Sequence, residues 1–362
     1  MRVMFLGGPG NISESTISYF LEKDTPVAVI KRTQGGLLGL EGKIRVYYGD
    51  RNQLEVLDHA LVDFKPDTVI DCTCFETEQA ETVIRAAQNN SFDRLVFVST
   101  ADVYGYPLTN LPMREDDPWN EPNGKYAADK KRIEELYQKA FRDGKPALTI
   151  VRPGYSLGKT FALTSFDRNR GAYLVTRIRQ GRPVYSPGDG TTLIDAGAAY
   201  NTGRMIARIC EDDDTIGQAY NCANHVAVTY DEYIRAFADA LGKPVNIVHI
   251  PTDFMFSLCR QEVKDSILGE LARFNLYFSV DKFRAQFPDF TWDYTLVDAV
   301  REFISYQESV GGLEGTEELM FEDKVVDLWI ESMDKLKDHV NAVFDRAYEP
   351  QNEKRGNAGG KR

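Results

Sequence analysis

Basic charge is in short supply. Lys and Arg number 43 against 55 Asp and Glu across 362 residues, a formal net charge of -12. A surface of that sign does not suit a phosphate backbone, so nucleic acid is not the expected partner. Cysteine is sparse as well. Cys72, Cys74, Cys210, Cys222 and Cys259 share no disulfide or zinc spacing, and Cys72-Thr73-Cys74 is CxC rather than CxxC. Such usage fits a reducing compartment. The four histidines (His59, His225, His249, His339) form no motif with one another, and no metal is expected. No apolar run reaches the roughly 20 residues needed to span a bilayer. Met1 leads straight into a strand-like run, without the charged, apolar and small-residue blocks of a targeting peptide. The expectation is a cytoplasmic protein without membrane or metal.

What is present is a core: 43% of the chain is hydrophobic, enough for one large domain with a lobe. Strand-like and helix-like segments alternate through the first half. Strands are expected at Arg2–Leu6, Pro26–Ile30, Lys43–Tyr48, Thr68–Ile70, Leu95–Val98 and Thr149–Val151. Helices are expected at Ser13–Glu22, Leu54–Asp63, Glu78–Gln88 and Tyr126–Ala140. This alternation predicts a parallel sheet covered on both faces, with ligands at the carboxyl ends of its strands. The pattern loosens over residues 160–195. Helices return at Gly197–Glu211, Thr229–Leu241 and Leu296–Gln307, and strands at Gln218–Cys222 and Val245–Ile250. Apolar residues recur every three or four positions from Thr316 to Phe344, and the polar tail 349–362 reads as disordered.

The fold class expected is therefore α/β, a Rossmann-type doubly wound parallel sheet with a smaller, mostly C-terminal substrate lobe. Residues 1–160 with about 197–224 form the dinucleotide unit. Residues 161–196 and 225–310 form the lobe, and 313–348 an amphipathic C-terminal helix.

Chemistry begins at GGPGNIS, residues 7–13. A strand, a glycine turn and a helix place backbone N–H groups and a helix N-terminus against a pyrophosphate. Gly7 permits the turn, Gly10 lets phosphates approach, and Asn11 and Ile12 open the helix. Ser13 occupies the position of the packing glycine, and its hydroxyl is free to bond a phosphate or the helix start. Next, VAVIKR ends a strand with Lys31 and Arg32 where an acid often holds the ribose of NAD; two cations there suit a 2′-phosphate and favour NADP over NAD. In YYGDRNQ, Asp50 is placed to accept from an adenine amino group and Arg51 to lie near its face. VSTADVYG puts Ser99 and Thr100 at a strand's carboxyl end. YAADK sets Tyr126 and Lys130 four apart on one helix face, where an ammonium lowers the pKa of a phenol and fits it for proton exchange. VRPG follows at 151–154.

Together these residues resemble the extended short-chain dehydrogenase/reductase superfamily, in its NAD-dependent epimerase/dehydratase family, over about residues 1–245. VIDCTC (69–74), VRPGYSLG (151–158), PGDG (187–190) and GQAYNCA (217–223) match further landmarks. The wording of several of them looks closest to an atypical subgroup that includes chloroplast stem-loop RNA-binding proteins. The resemblance implies that Tyr126 is the general base, Thr100 orients the same substrate oxygen, and Lys130 holds the cofactor ribose and tunes Tyr126. It implies that Cys72, Thr73, Cys74, Ser99, Pro153 and Tyr155 flank the cofactor. Asp102, Tyr104, Tyr155, Arg168 and Arg170 are the candidates for substrate.

The sequence departs from nucleotide-sugar members after GDG. No arginine stands near Leu193 or Ile194, and the usual histidine and aspartate give way to small residues and Tyr200. The expected reaction moves a hydride between the nicotinamide and a secondary alcohol or ketone of a sugar or sugar-nucleotide-like substrate, as an epimerase, a dehydratase or a reductase. An RNA-binding protein and a cofactor sensor that keep the fold without turnover are the alternatives. The Tyr126–Lys130 pair argues against both. A homodimer is possible, with Ile133, Leu136 and Tyr137 of the YxxxK helix available unless their own sheet buries them.

Overall fold

Alternation along the chain becomes layering in space. The computed structural model describes residues 1–164, 166, 171–316 and 320–356. Its first half runs β1 (Val3–Leu6), α1 (Ser13–Glu22), β2 (Val27–Lys31), β3 (Arg45–Tyr48), α2 (Leu54–Phe64), β4 (Thr68–Asp71), α3 (Thr77–Asn89), β5 (Arg94–Val98), a 3-10 turn (Ala101–Tyr104), α4 (Gly124–Ala140) and β6 (Ala147–Pro153). The second half runs β7 (Ser156–Leu157), α5 (Gly171–Arg179), β8 (Val184–Pro187), β9 (Gly197–Ala198), α6 (Ala199–Cys210), β10 (Ala219–Cys222), α7 (Tyr230–Leu241) and β11 (Ile247–Ile250). It closes with α8 (Thr252–Ser257), α9 (Gln261–Lys264), α10 (Asp281–Gln286), α11 (Leu296–Ser309) and α12 (Met320–Gly356).

Seven strands form one sheet in the order β3-β2-β1-β4-β5-β6-β10, every neighbouring pair parallel. The chain order reverses between β1 and β4, where a doubly wound sheet opens its ligand crevice. Because both faces are covered, each strand divides its side chains between two cores. Val3 and Phe5 of β1 join α1, α6 and the lobe; Met4 and Leu6 join α2, α3 and α4. Ile133 and Tyr137 of α4 are buried in that second core and Leu136 packs against it, so the protein's own sheet claims the residues considered for a dimer.

The lobe holds two short parallel pairs, β8 with β11 and β7 with β9. Its core is continuous with one face of the main sheet. α5 and β8 lie within 160–195, where the sequence pattern is loose. α7, on the segment expected to be helical, begins with a capping box (Thr229 with Glu232) and ends at Gly242 in the left-handed region. The first turns of α12 dock on the lobe: Asp323 pairs with the buried Arg177, and Trp329 meets Phe254 at 4.8 Å. Farther on, Leu336, Val340 and Val343 are exposed. The helix continues to Gly356, so 349–356, expected to be disordered, is helical. No described helix is long and apolar enough to cross a membrane.

α6 lies against α1 through Gly203. A Cβ there would stand 2.7 Å from the Ile12 carbonyl oxygen, 2.8 Å from the Ser15 Cβ and 2.8 Å from the Thr16 nitrogen. Alanine in place of a mid-helix glycine ordinarily stabilises by about 1 kcal/mol. Here the neighbours are mainly backbone, and overpacking costs about 1–3 kcal/mol. Gly203→Ala should therefore lower the urea midpoint of unfolding; a rise would show that the two helices can separate freely.

Candidate active site

A cavity of about 810 Å³ opens over the carboxyl ends of β1, β4, β5 and β6. The loop after β1 forms its floor. Gly7 has φ +88, and a Cβ on it would lie 2.3 Å from the Thr73 side chain, so only glycine fits. At Gly10 a Cβ would meet nothing nearer than the Ser13 hydroxyl at 3.7 Å; the room a side chain would take is cavity. Ser13 Oγ accepts the Gly10 N–H at 2.8 Å, which makes this serine a brace within the turn. Asn11 ties the loop to the opposite wall, its amide donating to the Ser156 carbonyl at 2.7 Å. The ten-residue α1 starts at this floor, its N-terminus facing the turn. The buried Ser99 hydroxyl, on the cavity wall, has no hydrogen-bond partner among the described residues. An open glycine, a helix N-terminus and an unsatisfied hydroxyl at one crevice fit the pyrophosphate and sugar hydroxyls of a dinucleotide.

Thr100, Tyr126 and Lys130 line the same cavity. Thr100 caps the 3-10 turn, its Oγ accepting the Asp102 N–H at 3.2 Å. Tyr126 stands at the mouth, 37% exposed, tilted against Phe75 at 6.3 Å. Lys130, one turn on, is buried and donates to the Val98 carbonyl at 2.8 Å. Its ammonium lies 6.0 Å from the Tyr126 ring centre. Burial pulls the Lys130 pKa down to about 8.

Of the other expected cofactor residues, Gly10, Asn11, Ile12, Cys72, Thr73, Ser99, Pro153 and Tyr155 line the cavity too. Gly7 lies beneath, against Thr73. Lys31 and Arg32 end β2 outside the cavity, and Lys31 donates to the Gly35 and Gly36 carbonyls. Asp50 accepts the Asn52 N–H at 3.0 Å and closes its turn.

Three residues are placed differently from expectation. Arg51 points inward, buried, and pairs with Asp71 through both guanidinium nitrogens instead of facing a ligand. Cys74 is buried off the cavity, its thiol beside the Tyr137 hydroxyl at 3.8 Å. Tyr104, expected at the substrate, lies in the core and donates to Asn221 at 2.6 Å. Arg152 donates to the same phenol at 3.1 Å and forms a buried fork with Glu134 at 3.0 and 2.8 Å. Among the other substrate candidates, Asp102 and Tyr155 line the cavity, while Arg168 and Arg170 lie outside the described residues.

The sequence reading missed the groups that fix this geometry. Glu134 and Tyr137 follow Lys130 along the buried face of α4. Tyr137 donates to the Asp71 carboxylate at 2.6 Å, and burial, with Asp71 beside it, keeps its phenol protonated. The signal was available: an acid closing the apolar strand TVID, and polar residues at helical spacing behind YxxxK. The far wall, from the lobe, is apolar and includes Phe161, Leu163, Leu271, Leu276 and Phe278.

A family model described as the NAD dependent epimerase/dehydratase family matches residues 3–223. A 2'-dehydrokanamycin reductase of Streptomyces kanamyceticus is 27% identical over 283 residues, 77% of each chain. Among solved structures, the UDP-glucose 4-epimerase of Thermus thermophilus in complex with NAD is similar with TM-score 0.67 at 18% identity, covering 85% of this chain and 99% of that one. The UDP-glucose 4-epimerase of Thermotoga maritima with UDP-glucose gives 0.69 at 14% identity, covering 86% and 99%. At such identities the two structures establish the fold.

Among the described residues, Asp71 is the acid paired with Arg51, and both are buried. Asp71→Asn keeps the shape and strands the guanidinium. The expected loss is about 3–5 kcal/mol, read as a lower denaturation midpoint; an unchanged midpoint would mean that the pair carries no buried charge.

Proposed function

The chain belongs to the NAD dependent epimerase/dehydratase family, and from that membership we propose that it moves a hydride between a nicotinamide dinucleotide and a secondary alcohol or ketone of a carbohydrate-like molecule. The observation that carries this reading is the presence of Thr100, Tyr126 and Lys130 in the cavity floored by the glycine loop. The dinucleotide, when bound, supplies the hydride donor or acceptor. The protein's own groups manage the oxygen and its proton.

Thr100 Oγ already accepts the Asp102 N–H, which leaves its own proton to donate to a substrate oxygen. Tyr126, solvent-accessible at the mouth, takes or returns the proton on that oxygen. Lys130 has three N–H donors, of which one is bonded to Val98. Those left over serve a ribose hydroxyl and hold positive charge near the Tyr126 phenol. The Gly10–Ser13 turn and the start of α1 hold the pyrophosphate. Ser99 Oγ, buried and without a partner among the described residues, would find its bond with the same ligand.

The reductase that matches 77% of this chain favours net reduction or oxidation with product release. The missing arginine near Leu193 and Ile194 also speaks against a nucleotide-sugar epimerase. Lys31 and Arg32, at the carboxyl end of β2, favour NADP over NAD.

The purified protein should carry or bind a nicotinamide dinucleotide. Tyr126→Phe should lower turnover by about 100-fold or more while the dinucleotide still binds, as followed by reduced-nicotinamide absorbance and fluorescence titration. Full activity in that variant would overturn the role of the phenol. Separately, Lys31→Asp should move the ratio of dissociation constants toward NAD, and a fixed ratio would remove the cofactor preference.

A further inference from the structure

The substrate end of the cavity combines apolar surface with one acid. The lobe wall offers Phe161, Leu163, Leu276 and Phe278, and Tyr106 closes the side next to the 3-10 turn. Asp102 is the acidic residue among the described lining residues, two positions after Thr100 on that turn. The Tyr106 hydroxyl donates to its Oδ1 at 2.5 Å. That bond orients the carboxylate without neutralising it. Among the described lining residues the basic group is Lys130, held beneath by the Val98 carbonyl. No ion pair to Asp102 is formed among the described residues.

A carboxylate on the wall of a mainly apolar cavity is complementary to a cation. The net charge of -12 attracts cations and repels diphosphates at longer range. Resting on the oxidoreductase reading above, we propose that the substrate is an amine-bearing polyhydroxylated ring, its ammonium on Asp102 while the reacting oxygen lies at Thr100 and Tyr126. The short step from Thr100 to Asp102 sets the amine close to the reacting carbon, on an adjacent position of the ring. Tyr106 is a positioning residue, since it acts through the carboxylate.

Matched pairs test this: amino sugars and aminocyclitols, each as the free amine and as its N-acetyl derivative, offered to the enzyme with its dinucleotide near neutral pH. The amine should have the lower KM by about tenfold or more, the size of a charge-assisted hydrogen bond. In Asp102→Asn, whose amide oxygen still accepts from Tyr106, the two KM values should converge. In Tyr106→Phe, which keeps the carboxylate, the amine should remain preferred. Equal KM values in the unaltered enzyme, a preference surviving in Asp102→Asn, or turnover confined to nucleotide sugars would overturn the proposal. Tyr126-dependent turnover without amine preference defeats this inference alone. Absence of dinucleotide binding defeats the reading beneath it.

Discussion

Lys130, Glu134 and Tyr137 stand on the buried face of α4, and each closes onto the sheet below. Their partners are the Val98 carbonyl on β5, Arg152 on β6 and Asp71 on β4. Three strands thereby set the height and rotation of one helix. Buried ion pairs add little net stability, because desolvation offsets their attraction. Their effect is on arrangement. Apolar packing of Ile133 would tolerate a small slide of α4, whereas a slide that parts these groups leaves charge unpaired in a dry interior. Tyr126, one turn before Lys130 on the same helix, is delivered to the cavity mouth by anchors that never touch a ligand.

The parts of this protein that were legible from sequence are those where neighbouring positions face different surroundings. Strands buried on both sides and helices with one apolar face announce themselves, and all seven strands of the main sheet fall on expected segments. The lobe announces itself only in part, because β7 and β9 have two residues each, too short for a period to register. Site residues followed a similar rule. Thr100, expected from its strand end, and Tyr126 and Lys130, expected from their spacing, line one cavity. Tyr104 was misplaced because the four residues of one tight turn divide between cavity and core: Asp102 lines the cavity and Tyr104 is buried against Arg152 and Asn221. Arg51 was misread for a related reason. Its partner Asp71 is 20 positions away, and nothing local shows a surface-looking arginine turning inward.

The serine in the opening loop now has a defined place. Its hydroxyl takes the Gly10 N–H, tightening the turn from within. The close approach that a small residue normally permits near this point is provided across the interface, by Gly203 on α6 against the start of α1. The seating of the helix that follows the loop therefore rests on Gly203, in a helix that carries no recognisable motif.

The two cores also separate in time. Every buried residue of the core under α2, α3 and α4 lies between Met4 and Ile150, so that side of the sheet can close once the first half has left the ribosome. The other side waits for α6 and for lobe residues as late as Ile304 and Val326. During synthesis a nascent chain of half length would cover Val3, Phe5, Val29 and Ile70 with α1 alone, leaving the part of that apolar face that α6 and the lobe later bury open to solvent. A chain arrested midway is thus a chaperone client and an aggregation hazard, although the part it contains is already well formed on its other side.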